Sequence, residues 1–69
     1  MPRYYVNNAA QPETGDHEVH SETCFYLQFV QSKKDLGYHD TCYSAVAKAK
    51  ETYPTADGCK HCSESCHSR

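Results

Sequence analysis

Residues 40–62 read DTCYSAVAKAKETYPTADGCKHC, a helix-forming run followed by a pair of closely spaced cysteines. Its first part predicts a helix over about Asp40–Tyr53. Asp40 or Thr41 can act as the N-cap by accepting from the free amides of the first turn. Ala45, Ala47, Lys48, Ala49, Lys50 and Glu51 are mostly strong helix formers. Cys42, Ala45, Val46, Ala49 and Tyr53 recur at helical spacing and make one apolar stripe. Pro54 stops the helix, because the residue before a proline is driven out of helical geometry. TADG then reads as a turn, with Gly58 available for positive φ. The turn delivers the chain to Cys59-x-x-Cys62, a spacing that lets two thiolates converge on one tetrahedral ion.

Working outward, RYYV (residues 3–6) is aromatic and β-branched and predicts a short strand. NNAAQPETGD marks a loop. HEVH (residues 17–20) alternates, with Glu18 and His20 on one face and His17 and Val19 on the other. CFYLQFV (residues 24–30) is the most apolar run, expected as a strand or a short irregular core segment. QSKKD reads as a turn and LGYH as a third strand, with Gly37 at a bulge or a close backbone approach. The expected fold is α+β over residues 1–69 as one small metal-binding domain: a small antiparallel sheet with one helix packed across it. Its core is expected over about 17–63, with 64–69 as a flexible tail.

Composition explains why such a chain needs a staple. At 69 residues, with 38% hydrophobic residues, no Trp and two Phe, the apolar core is thin. A domain of this size buries only about 60% of the surface its unfolded chain exposes, and disulfides, a metal or oligomerisation commonly make up the difference. Six Tyr supply most of the aromatic bulk. Their surplus surface suits a protein partner.

The formal charge of −2 and the scattered lysines (Lys33 and Lys34, Lys48 and Lys50, Lys60) leave a nucleic-acid-binding module as an alternative behind a protein-binding one, beside a redox or metal-responsive thiol protein in which Cys62 and Cys66 cycle. No run approaches the roughly 18 apolar residues of a membrane span, so no membrane partner is expected. The polar start MPRYYVNN is unlike an export signal. The expected location is therefore cytoplasmic, where clustered cysteines bind metal more often than they form disulfides. Five cysteines point the same way, since a disulfide framework would strand one thiol.

One Cys-x-x-Cys is half a site. The other half is HSETC, in which His20-x-x-x-Cys24 offers an imidazole and a thiolate. His20, Cys24, Cys59 and Cys62 make a closed Cys₃His set for one structural Zn²⁺. Alternates are Cys66, four residues beyond Cys62, and His17 and His67. Cys66 otherwise ends as a free thiol, or as a partner that resolves an oxidised Cys62. Cys42 reads as a packed core residue, His39 as a loop or first-turn residue, and His61 as a solvent-facing side chain of the chelating turn. Catalysis is not expected. A redox Cys-x-x-Cys typically opens a helix, whereas this one follows a helix, and nothing singles out Glu18, Glu22 or Glu64 as a base.

HSETC together with LGYHDTCYSAVAKAKETYPTADGCKHC resembles the metal-binding domain of the bacterial Ada DNA-repair protein and similar small zinc modules. In those, a ligand-x-x-x-Cys pair is followed by a strand, an Ala-rich helix and a Cys-x-x-Cys. The resemblance covers about residues 17–63 and implies ligands at His20, Cys24, Cys59 and Cys62. This chain departs from the pattern in its first ligand, His in place of Cys, in its helix-to-Cys turn, and in its tail SESCHSR. With no alkyl-transfer or DNA-reading region alongside, the resemblance implies the fold and the metal and not repair chemistry.

Overall fold

The computed structural model describes residues 1–68. Strands β1 (Arg3–Asn7) and β2 (His17–Ser21) are followed by a 3₁₀ helix at Phe25–Phe29. Then come β3 (Lys33–Tyr38), α1 (Cys42–Lys50), β4 (Ala56–Gly58) and a second 3₁₀ helix at Glu64–Cys66. The fold is α+β, with the strands in one sheet of order β3-β1-β2-β4.

The sheet is mixed and not purely antiparallel. β1 pairs antiparallel with both β2 and β3, but β4 runs parallel to β2, with His17 opposite Ala56 and Val19 opposite Gly58. The residues expected as a turn, TADG, thus supply a strand. Ala-Asp-Gly has turn-like composition and is too short to show alternation. Its strand state comes from pairing with β2, which α1 makes reachable as the crossover that a parallel pair requires.

α1 forms where the stripe predicts it. Cys42, Ala45, Val46 and Ala49 are its buried residues, and Tyr53 packs on the same core. The regular helix is shorter than the expected 40–53, but Tyr53 N–H still donates to Ala49 O at 2.8 Å, so a last turn runs up to Pro54. Thr41 is the N-cap in extended geometry, without a capping hydrogen bond from its hydroxyl. Against the helix the sheet presents Tyr4, Val6, Val19, Leu36 and Ala56. The core therefore reaches back to β1, before residue 17. The Tyr53 hydroxyl donates to Asn8 Oδ1 at 2.7 Å, which satisfies its polar end inside the fold.

Gly37 sits at φ +84° where the β1–β3 register shifts between Tyr4 and Tyr5. A bulge at this glycine is what the sequence suggests. β3 starts at Lys33, so the lysines expected in a turn open an edge strand, a placement that discourages edge-to-edge pairing. Two groups of this strand are also occupied by side chains. Gly37 N–H donates to Asp35 Oδ1, and Leu36 O accepts from His39 Nε2.

The apolar run CFYLQFV departs furthest from expectation. It forms a 3₁₀ helix with no buried residue, and Phe25 and Phe29 are 66% and 65% exposed. Phe25 packs edge-on against Tyr26 and Phe29, which are tilted at 48° to each other, and none of the three is buried in the core. Residues 64–68 likewise are no free tail, because Cys66 is bonded to Cys42 and Ser68 donates to the Asp57 carboxylate. Arg69 lies outside the described residues.

Candidate metal centre

β2 places the first ligand. Val19 points into the helix-covered core with no exposure, so strand alternation turns its neighbour His20 to the other face, where it is buried to 2% exposure. After β2 the chain folds back at once, with Cys24 N–H donating to Ser21 O at 3.1 Å, and Cys24 returns toward His20. On the neighbouring strand the parallel pairing extends one step past Gly58, as Cys59 N–H donates to Val19 O at 3.0 Å. That bond sets Cys59 beside His20. Ser63 N–H then donates to Cys59 O at 2.8 Å and closes the turn that carries Cys62.

These two turns bring His20, Cys24, Cys59 and Cys62 together, with one ligand atom from each lying within 4.8 Å of all the others. Tetrahedral zinc with Zn–S bonds of about 2.3 Å sets its sulfurs about 3.8 Å apart, and no two ligand atoms of the cluster are more than 4.8 Å apart. His20 Nδ1 faces Cys62 Sγ at 3.9 Å, while Nε2 stands 3.7 Å from Glu18 Oε1. Glu18 shares the strand face of His20 and stands on the side where a carboxylate would orient the imidazole if Nδ1 held a metal. The sequence shows the shared face; the role emerges only once His20 is seen to point one nitrogen at the sulfurs.

Backbone amides surround the thiols. His61 N–H donates to Cys59 Sγ at 3.5 Å, and the Cys62 amide points at the same sulfur. The Tyr26 amide serves Cys24 and the Ser21 amide serves Cys62. Such donors favour the thiolate, the form that binds metal. The three sulfurs nonetheless do not ionise alike. Burial pushes Cys24 up to about 12, reinforced by its contact with Cys62. Burial also raises Cys59. At Cys62 burial acts upward too, but hydrogen bonds from His20, Cys24, the Ser21 amide and Ser63 outweigh it and bring the thiol down to about 6. Neighbouring thiols oppose one another's ionisation at Cys24 and Cys59, and a cation is what would let all three ionise together. The residues fit a metal ion by donor type, spacing and amide support.

The alternates are not in the cluster. His17 stacks on Tyr53 with ring centres 3.9 Å apart, and its Nδ1 donates to Asn7 O. His67 Nδ1 lies 3.1 Å from Gly58 O and 3.4 Å from Asp57 Oδ2. Cys66 is joined to Cys42 across 24 residues, so it is neither ligand nor free thiol, nor a partner for Cys62. Cys42 is buried as expected and is also a disulfide partner. The odd count misleads because three thiols converge and two remain to pair. Gly58 has no positive φ. It is needed for space, since a Cβ there would lie 2.7 Å from both Cys66 Cβ and Ser63 O. His61 is exposed, but its ring stacks on Tyr26 at 4.3 Å and links the two ligand turns over their outer side.

No protein-family model, curated protein or solved structure matches the chain. Among the described residues no helix is long and apolar enough to cross a membrane.

Proposed function

We propose that this chain is a small zinc-binding domain in which one Zn²⁺, held by His20 Nδ1 and the thiolates of Cys24, Cys59 and Cys62, has a structural role. The observation that carries this reading is the convergence of four ligand atoms from two turns distant in sequence to within 4.8 Å of one another. Four protein ligands leave no open coordination position, which separates a structural site from a hydrolytic one. The ion would join β2 to β4 and the turns that follow them, and would contribute folding free energy directly.

The domain's outward task is then interaction, without catalysis, and a protein is the favoured partner class. Phe25, Tyr26 and Phe29 stand exposed side by side on the 3₁₀ helix that follows Cys24, so the ion would brace the base of an aromatic ridge. Phosphate binding is less supported. Arg3 is 3.6 Å from Asp35, and the chain carries a formal charge of −2, so no excess of positive charge gathers around it.

Cobalt substitution tests the reading. Co²⁺ added to the full chain is expected to give the ligand-field and thiolate charge-transfer bands of tetrahedral S₃N coordination. Zn²⁺ should displace it one-for-one, and native mass spectrometry should show one zinc that a strong chelator removes together with tertiary structure. A chain that stays folded and takes up neither ion sinks the proposal.

A further inference from the structure

We propose that the Cys42–Cys66 disulfide is a redox latch on the metal centre, so that its reduction weakens metal binding and bound metal in turn protects it from reduction. The inference rests on the zinc-site reading above. It concerns a pair of cysteines outside the ligand set. Cys42 opens α1 within the buried core, and half-buried Cys66 ends the second 3₁₀ helix.

The ligand turn lies between two anchors. Upstream, Cys59 N–H is tied to Val19 O. Downstream, Ser63 N–H bonds Cys59 O and Cys66 N–H bonds Ser63 O, which carries the backbone from the ligand turn straight into the disulfide. The same segment also presses on the residue before the first thiol ligand. Cys66 Cβ and Ser63 O come so close to Gly58 that no Cβ fits there, and His67 Nδ1 donates to Gly58 O. Cys62 therefore sits on a loop pinned to β4 at one end and to α1 at the other. Opening the disulfide leaves residues 63–68 held by buried Ser63, by the packing of Cys66 on the core and by hydrogen bonds to Gly58 and Asp57, and a segment that has lost its covalent anchor opens locally at lower free-energy cost. The ordering that the oxidised protein has already undergone must then accompany metal binding.

Cys66 lines a surface groove of about 360 Å³, together with Tyr43, Val46, Lys50 and His67. A small thiolate entering this groove attacks Cys66 Sγ, breaks the Cys42–Cys66 bond and forms a mixed disulfide, while Cys42 leaves as a thiolate and takes a proton. A second thiol of the reductant displaces Cys66 and leaves as the reductant's own disulfide. The two electrons come from the thiol reductant, and Cys42 and Cys66 both end as thiols. Since binding couplings are reciprocal, the factor by which oxidation tightens metal binding equals the factor by which metal shifts the disulfide equilibrium.

Zinc affinity is to be measured by chelator competition on the full chain, oxidised and after phosphine reduction, with Co²⁺ spectra reporting the ligand set in each form. The expected result is about tenfold weaker binding on reduction with an unchanged S₃N spectrum. A Cys42→Ser/Cys66→Ser double variant should reproduce the reduced value. Because that variant can lose the fold, a second measurement uses the wild-type protein alone. Its disulfide is titrated in glutathione buffer with and without saturating zinc, where a tenfold coupling appears as a midpoint lowered by about 30 mV. A difference of threefold or more in the expected direction supports the latch. A smaller or inverted difference, or a spectrum showing that Cys66 replaces His20 after reduction, overturns the latch and leaves the zinc site standing. Failure of both redox forms to bind either ion overturns the zinc reading and the latch with it.

Discussion

On the side of the sheet covered by α1, Val6, Val19, Ala45 and Ala49 have no exposure. On the other side the buried groups include an imidazole and a thiol, His20 and Cys59, while the large rings of Phe25 and Phe29 face water. The first side closes by ordinary apolar burial, about 25 cal/mol per Å² removed from water. The second buries polar, ionisable groups, which costs free energy unless they find partners. Apolar contact and the Cys42–Cys66 disulfide hold the helix side, whereas the cluster side would be completed by the proposed ion.

The largest test of that difference sets Cys59→Ser against Val19→Ala. Cys59 and Val19 meet at one backbone hydrogen bond and are both almost fully buried, so location is nearly held constant. Cys59→Ser removes a proposed ligand and is expected to weaken zinc binding by more than about 100-fold, beyond what losing an orienting group costs. It should also remove most of the difference in melting temperature between zinc-loaded and chelated protein. Val19→Ala leaves a small cavity worth about 2 kcal/mol, a drop of roughly 8–16 °C for a domain of this size, with the zinc-dependent difference retained. If Val19→Ala abolishes zinc binding as thoroughly as Cys59→Ser, the two sides are one cooperative unit and the contrast is broken.

A smaller effect separates two glycines. Gly58→Ala drives a methyl group into Cys66 and backbone Ser63, neither of which is the free end of a flexible side chain. Overpacking of this kind costs about 1–3 kcal/mol, and here it should also reduce zinc affinity, because Cys59 is the next residue. Gly37→Ala meets nothing within 4 Å and suffers only from φ +84°. It should cost about 1–2 kcal/mol, be partly relieved by Asn, and leave zinc affinity unchanged. Thermal melts with zinc titrations on Gly37→Ala, Gly37→Asn, Gly58→Ala and Gly58→Asn check the distinction. Rescue of position 58 by Asn would mean that backbone conformation, and not space, selects glycine there.

What was legible in the sequence follows the same division. The α1 stripe could be read because its apolar side chains repeat at helical period, and β2 because Val19 stands between the polar Glu18 and His20. The grouping of His20, Cys24, Cys59 and Cys62 could be read because chelating side chains must sit a few residues apart on a turn. β4 could not, since Ala-Asp-Gly is a strand only by virtue of its neighbour. The Cys42–Cys66 pair was hidden because a disulfide depends on Cα separation in space, and parity fails when some thiols serve elsewhere. CFYLQFV misled because hydrophobicity marks burial only on average, and three exposed rings can instead form a surface.

The smallest effect tests whether the cluster side is more than four ligands. Glu18 is on β2 two residues before His20, and its side chain keeps 26% of its exposure, so its removal leaves neither a deep cavity nor a stranded charge. Glu18→Gln preserves shape and removes only the negative charge facing His20 Nε2. Carboxylates that orient ligating imidazoles account for about 10–100-fold in metal affinity. At 3.7 Å and partly in water this one belongs at the low end, about tenfold. The melting temperature of the zinc-free protein should stay within about 2 °C, as for a surface substitution. Chelator competition reads the first quantity and calorimetry the second. If affinity changes by less than twofold, Glu18 is an ordinary strand residue and His20 is oriented by burial alone. If affinity falls while the zinc-free protein melts unchanged, the carboxylate acts through the imidazole on the ion, which an apolar core residue such as Val19 cannot do.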